Sequence, residues 1–185
     1  MTTRYRFDPN QSRCTVQAFV VGLLSFAGHS PTFVVRDFGG SVERDGSAER
    51  NLAVHLSARA GSLELLDRVK DADRWEIEQR LQHEVLETDA TPTMVFESEH
   101  VDAEALGDGL YRLDIAGWLS LHGVRQPYRI DAELYESGNR LHLRGKDVLA
   151  MSDFRIKPVT ALGGTIALKD EVALAFDLVA VPEDP

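Results

Sequence analysis

Two of the six histidines stand where an imidazole could act as a base. His29 lies in AGHSPTF with Ser30 directly after it, and His122 lies in LHGV, two residues after Ser120. An imidazole within hydrogen-bond reach of a serine can take its proton and leave a nucleophilic oxygen, the chemistry of a hydrolase. That chemistry also needs a group to orient the imidazole and a turn that presents the serine. No orienting partner is evident, and no Gly-x-Ser-x-Gly elbow occurs. The competing assignment is structural, since each histidine adjoins a glycine and a turn histidine can bond loop backbone.

The remaining candidates are weaker. His55 and His142 fall on the polar phase of their strands, His83 lies in a helical segment, and His100 ends the charged run from Glu97. No pair has the His-Glu-x-x-His spacing of a zinc site. The carboxylates lie mostly in outward phases and read as solvated surface. Gly39-Gly40 and Gly163-Gly164 lack the lysine and helix of a phosphate loop. Cys14 is the sole cysteine, so there is no internal disulfide. In the run Cys14, Val16, Ala18, Val20 it reads as a small buried hydrophobe. Nothing implies a metal or other cofactor.

The elements that must hold these residues are mostly strands. In Tyr111, Leu113, Ile115, Leu119 and Leu121 the odd positions are apolar; in Tyr128, Ile130, Ala132 and Leu134 the even ones are. Alternation means a strand with one buried face. The reversal of phase across SLHGVRQPYRI marks the corner of an antiparallel hairpin, with Gly123 permitting the turn. Further alternating runs occur at Leu52–Ala58, Met94–Ser98, Leu141–Leu143 and Val172–Leu178. Turn chemistry separates them, as at Asp8-Pro9-Asn10, Gly107-Asp108-Gly109 and Ser137-Gly138-Asn139. Many strands so spaced predict an all-β sandwich or barrel. One segment differs: KDADRWEIEQRLQHEVLE has no glycine or proline, and Ile77, Leu81 and Val85 recur every four residues. It predicts a helix near Ala72 to Leu86, with Asp73 and Glu76 as a capping box. Such a helix is either a plug that completes the core or a lid over a cavity.

The 185 residues suit one domain, 1–185, with a substantial core. A formal net charge of −10 argues against a nucleic-acid partner, which needs a basic face, and against docking on an anionic membrane. MTTRYRFDPN shows neither a basic nor an apolar signal region, and the longest apolar run, Ala18 to Leu24, is too short for a transmembrane segment. The expected compartment is the cytoplasm.

The ordered motifs carry a resemblance. RYRFDPNQSRCTVQAF, FGGSVERD, SLELLDRVKDADRWEIEQRL, TPTMVFES, GWLSLHGVRQPYRI, SDFRIKP and GGTIALKDEVALAFDLVA follow one another along nearly the whole chain. In this order the chain resembles the YceI-like family of lipocalin-like barrels associated with polyisoprenoid binding. GWLSLHGVRQPYRI is similar to the most diagnostic element, a Gly-x-Leu-x-x-x-Gly-Val-x-x-Pro hairpin. Two stretches depart from the pattern: VGLLSFAGHSPTFVV replaces a Gly-x-Phe region, and Arg155 stands where glycine is common.

The resemblance implies a single antiparallel eight-stranded lipocalin-like β-barrel, with the main α-helix near the barrel opening. Its implied function is non-catalytic binding of a long apolar ligand, a polyisoprenoid or fatty-acyl lipid, as a carrier, storage or stress-associated protein. Inward phases with few charges nominate Val16, Ala18, Phe38, Val54, Leu56, Met94, Phe96, Ile115, Leu119 and Phe176 as lining. Trp75 and Leu81 are nominated on the lid, and His29 and His122 at the rim against a polar head group. The small inward residues Ala18, Ala58, Gly117, Ala132 and Gly145 either leave room for a ligand or fill the barrel's taper. The alternatives are a hydrolase using His29 or His122 and a filled structural barrel without ligand. The oligomeric state stays open, a homodimer included.

Overall fold

The computed structural model describes residues 2–21, 30–45, 52–157, 159–161 and 166–183. His29 lies outside them. In chain order the strands are β1 (Thr2–Phe7), β2 (Arg13–Val21), β3 (Thr32–Val35), β4 (Phe38–Asp45), β5 (Leu52–Arg59) and β6 (Leu63–Leu65). After the helix α1 (Asp71–Arg80) come β7 (Thr93–Gly107), β8 (Leu110–Leu121), β9 (Val124–Ser137), β10 (Arg140–Ala150), β11 (Thr160–Ala161) and β12 (Ile166–Pro182).

Several of these are halves of longer strands that bend. The β2–β3 register (Val16↔Phe33) and the β1–β4 register (Arg6↔Ser41) belong to one long hairpin, interrupted at residues 8–12 and 36–37. β4–β5 and β3–β6 form a second, bent where a 3-10 turn, Ala60–Ser62, interrupts the strand. Backbone bonds stitch that bend: Arg36 N–H donates to the Ser62 carbonyl at 3.1 Å, and Arg59 N–H to that of Asp37 at 2.9 Å. With β1–β2, β3–β4 and β5–β6 counted once each, β7, β8, β9, β10 and β12 complete a closed eight-stranded antiparallel barrel. Closure comes from β12, which pairs with β2 along Ala167–Asp177 and with β1 at Ala180–Pro182.

The hairpin corner is a two-residue turn. Leu121 pairs with Val124, while His122 (φ 51°) and Gly123 (φ 72°) take the two left-handed positions such a tight turn requires. Partners across it sum to an odd number, so the inward phase must change parity, which explains the reversed alternation.

In one place the wall parts. β9 and β10 pair from Arg140↔Ser137 to Gly145↔Ala132, although β9 starts at Val124 and β10 runs on to Ala150. The turn Met151–Phe154 packs beside this seam. There Gln126 donates to the Asp153 carbonyl at 3.3 Å, and His122 Nδ1 lies 3.1 Å from the Phe154 carbonyl oxygen.

The helical segment runs from Asp71 to Val85, as the sequence predicts to within a residue, but its cap and its last turn differ from expectation. It begins at Asp71, capped by Lys70 without a side-chain bond, so Asp73 is an acid in the first turn and not the cap. Tertiary contacts override the local capping signal. Arg74 donates to the carbonyls of Leu65 and, at 2.8 Å, Asp67, and Leu65 N–H donates to Glu78 Oε1 at 2.9 Å. From Leu81 to Val85 the winding widens to a π turn, in which Leu86 N–H reaches the Leu81 carbonyl.

Candidate functional site

Inside the barrel, beneath the helix, lies a cavity of about 520 Å³ lined almost wholly by apolar side chains. The strands contribute Val16, Ala18, Val20, Phe33, Met94, Leu119, Leu121, Leu149, Val172 and Leu174. The helix contributes Ile77, Leu81 and Val85, the stripe legible in the sequence. A second, smaller space of about 170 Å³ continues inward, and Val16, Met94, Leu119 and Leu174 line both. Beyond it the barrel is solid: Phe7, Val42, Leu113, Leu134 and Leu141 are each at most 2% exposed. The helix therefore covers a hollow half, while the far half is plugged by its own side chains.

The nominated residues divide accordingly. Val16, Ala18, Leu81, Met94 and Leu119 line the larger space; Phe38, Val54, Leu56, Phe96, Ile115 and Phe176 line the smaller one. Trp75 lines neither. It is 66% exposed on the outer face of the helix, because the inward side is already occupied by the Ile77–Leu81–Val85 stripe.

His122 also differs from expectation. Its Nδ1 faces the Phe154 carbonyl oxygen and its Nε2 lies 3.1 Å from Glu87 Oε2, so it ties the hairpin to the end of the helical segment and to the turn beside the seam. With both nitrogens engaged it neither lines the cavities nor pairs with Ser120, whose phase is opposite to that of the lining residues Leu119 and Leu121. A serine–histidine pair therefore does not form at His122.

Small inward residues serve more than one purpose. Ala18 and Ala58 border the cavities. Gly145 does not leave space: a Cβ there would lie 2.5 Å from Phe176 Cζ, so the phenyl ring already occupies that volume. At Gly117 a Cβ would meet the Glu97 carbonyl oxygen at 2.2 Å, beside the β7–β8 irregularity at Ser98/His100.

Three further lining features lie outside the nominated set. Met151 and Ile156 come from the irregular stretch after β10 and have no period to announce them. Arg80 and Asp67 bring charge to the border of the larger cavity. Arg80 is held by Glu84 (3.3 Å) and the Thr160 carbonyl (3.3 Å), while Asp67 Oδ2 accepts from Thr32 N–H at 2.8 Å. Tyr128 and Asp147 face the smaller space at the seam. Asp147 continues the inward phase of Leu141, Leu143 and Gly145, and that signal was in the sequence.

Burial suppresses the ionisation of two groups in the site. Burial pushes the Cys14 thiol up to about 12, which makes it a neutral, poorly nucleophilic wall group. Burial first, then Asp147 as hydrogen-bond acceptor and as a charge, then the Asp153 charge, hold the Tyr128 phenol above its ordinary range. Among the described residues no cluster of His, Cys, Asp and Glu could hold a metal ion.

A hollow apolar barrel under a helix, closed at one end, is the arrangement on which a family assignment can be judged. Residues 5–180 match the YceI-like domain. The chain belongs to the YceI-like family. Among solved structures it is similar to BcnA of Burkholderia cenocepacia (16% identity, TM-score 0.73, covering 95% of this chain and 99% of that one). It is also similar to a polyisoprenoid-binding domain from Saccharophagus degradans (14%, 0.70, 97% and 98%) and to the Campylobacter jejuni YceI protein (14%, 0.59, 82% and 84%). At these identities the likeness shows the fold. A search of curated proteins gives no match. No helix among the described residues is long and apolar enough to cross a membrane.

Proposed function

We propose that this YceI-like protein binds a long apolar molecule, an isoprenoid or fatty-acyl chain, inside the barrel, as a carrier or store and without catalysing a reaction. The observation that carries the reading is the apolar cavity of about 520 Å³, which adjoins a second space of about 170 Å³ under a helix whose apolar stripe faces it. Burying each CH₂ of a ligand is worth roughly 0.8 kcal/mol, so a chain of many carbons gains affinity without any directed contact. The polyisoprenoid-binding description of the Saccharophagus degradans domain points to the same ligand class. Against the hydrolase alternative stand the neutral Cys14 thiol and the engagement of both His122 nitrogens. The hollow half speaks against a filled structural barrel.

The test is uptake of prenyl and acyl probes by delipidated protein, together with mass spectrometry of apolar molecules extracted from the purified protein. Ala18→Trp should fill the larger cavity and weaken uptake at least tenfold, while Arg112→Ala, on an exposed ion pair with Glu104, should leave it unchanged. If the delipidated protein takes up neither class, or Ala18→Trp only lowers melting, the carrier reading fails.

A further inference from the structure

The seam between β9 and β10 brings polar groups into the largely apolar wall of the smaller space. Tyr128 and Asp147 come from strands that no longer pair at this level, and both line the smaller space. The Tyr128 hydroxyl is buried and makes no hydrogen bond of ordinary geometry among the described residues, although the Asp147 carboxylate approaches closely enough to act on it as an acceptor. An unsatisfied buried hydroxyl is costly, and few persist in native proteins without a use. One Asp147 oxygen accepts the Val148 N–H at 2.8 Å. The carboxylates of Asp147 and Asp153 both act on the phenol, so the negative potential of the seam reaches the hydroxyl.

This combination selects a chemistry. A phenol that stays protonated offers a hydrogen and a lone pair, whereas an ionised carboxylate only accepts. A ligand group that donates to Asp147 and accepts from Tyr128 satisfies both. A carboxylate or phosphate offers no proton and meets two like charges, and it would also be desolvated in an apolar pocket.

Building on the carrier reading above, we infer that Tyr128 and Asp147 form the head-group site, and that it takes a neutral donor–acceptor group, a hydroxyl at the end of the apolar chain, in preference to an anionic one. The ligand then lies with its hydroxyl at the seam and its chain in the larger cavity beneath Leu81 and Val85.

The experiment uses delipidated full-length protein and three probes of equal chain length: dodecan-1-ol, dodecanoate and dodecane. Each displaces a neutral fluorescent apolar dye at about pH 8, where the acid is ionised. The alcohol should bind at least tenfold more tightly than the acid. Tyr128→Phe should lower affinity for the alcohol by about tenfold, the worth of one directed hydrogen bond, and leave dodecane unchanged. Asp147→Asn should narrow the difference between alcohol and acid. The wild-type ranking does not depend on how either variant folds. Equal binding of alcohol and acid, or a Tyr128→Phe loss shared equally by dodecane, overturns the head-group assignment and leaves the carrier reading standing. Failure of all three probes to bind overturns both.

Discussion

The two halves of the barrel are built on one alternating pattern and end in opposite states. In the plugged half, register places Leu113 against Ala132, and Leu141 and Phe7 against Ala180, so large and small side chains interlock. In the hollow half, Val16, Ala18, Val20, Val172 and Leu174 face a space that their own volumes do not fill. The hydrophobicity is similar; what differs is side-chain reach and the presence of a helix to cover what the strands leave open. A buried apolar face thus says that a residue points inward, without saying whether it meets a neighbour or a void.

The largest expected effect follows from this contrast. Leu134→Ala removes a side chain packed on all sides and should cost about 2–5 kcal/mol of stability, because the surroundings collapse only partly. Leu119→Ala, at the junction of the two spaces, deletes a side chain that already borders empty volume, so the lost contacts are fewer. It should cost less, and should raise the capacity for bulkier probes. Denaturant titration of both variants, with dye uptake beside it, checks the contrast; equal losses would mean that the hollow half is packed in solution.

The next effect is alkaline destabilisation, and it also belongs to the hollow half. Cys14 is raised from 9.0 to about 12 by burial, and Tyr128 is raised from 10.0, so the folded protein holds both protons more tightly than the unfolded chain. The associated stability is fully present below about pH 9, where the unfolded thiol is still protonated. It is lost as pH rises from 9 toward 12, since the unfolded state then releases protons that the folded state keeps. Melting temperature followed from about pH 8 to about pH 11 should therefore fall, and Cys14→Ala should flatten the early part of that fall. A profile identical in wild type and Cys14→Ala would place the thiol in contact with water.

Much of this was legible because a two-residue period survives any bend. The hairpin around His122-Gly123 follows from parity alone, and the Ile77–Leu81–Val85 stripe from a four-residue spacing. The bends that split three long strands were not legible, since they depend on bonds such as Arg59 N–H to the Asp37 carbonyl. The seam was half legible: the phase of β10 puts Asp147 inside, but only the topology shows that β9 has stopped pairing there. Arg155 illustrates the reverse. It holds a left-handed φ of 57°, a conformation glycine adopts at no steric cost, which accounts for the glycine common at that place in the family pattern. Met151 and Ile156 reach the cavity from irregular chain, where no periodicity exists to be read.

The smallest expected effect separates the two faces of the helix. Trp75 is the largest exposed apolar side chain among the described residues, and neither cavity touches it. Trp75→Ala should change stability by no more than about 0.5 kcal/mol, as for a surface position without special contacts, and should leave probe affinity unchanged. Leu81→Ala, on the inner face two turns away, removes cover from the larger cavity and should speed probe release several-fold. Stopped-flow displacement of the dye distinguishes the faces directly. If Trp75→Ala also speeds release, then the outer face must fold inward when a ligand leaves, and the helix is a moving lid. If only Leu81→Ala does so, the helix acts as a fixed wall, and ligands pass by another route, for which the unpaired stretch of β9 and β10 is the nearest break in the barrel.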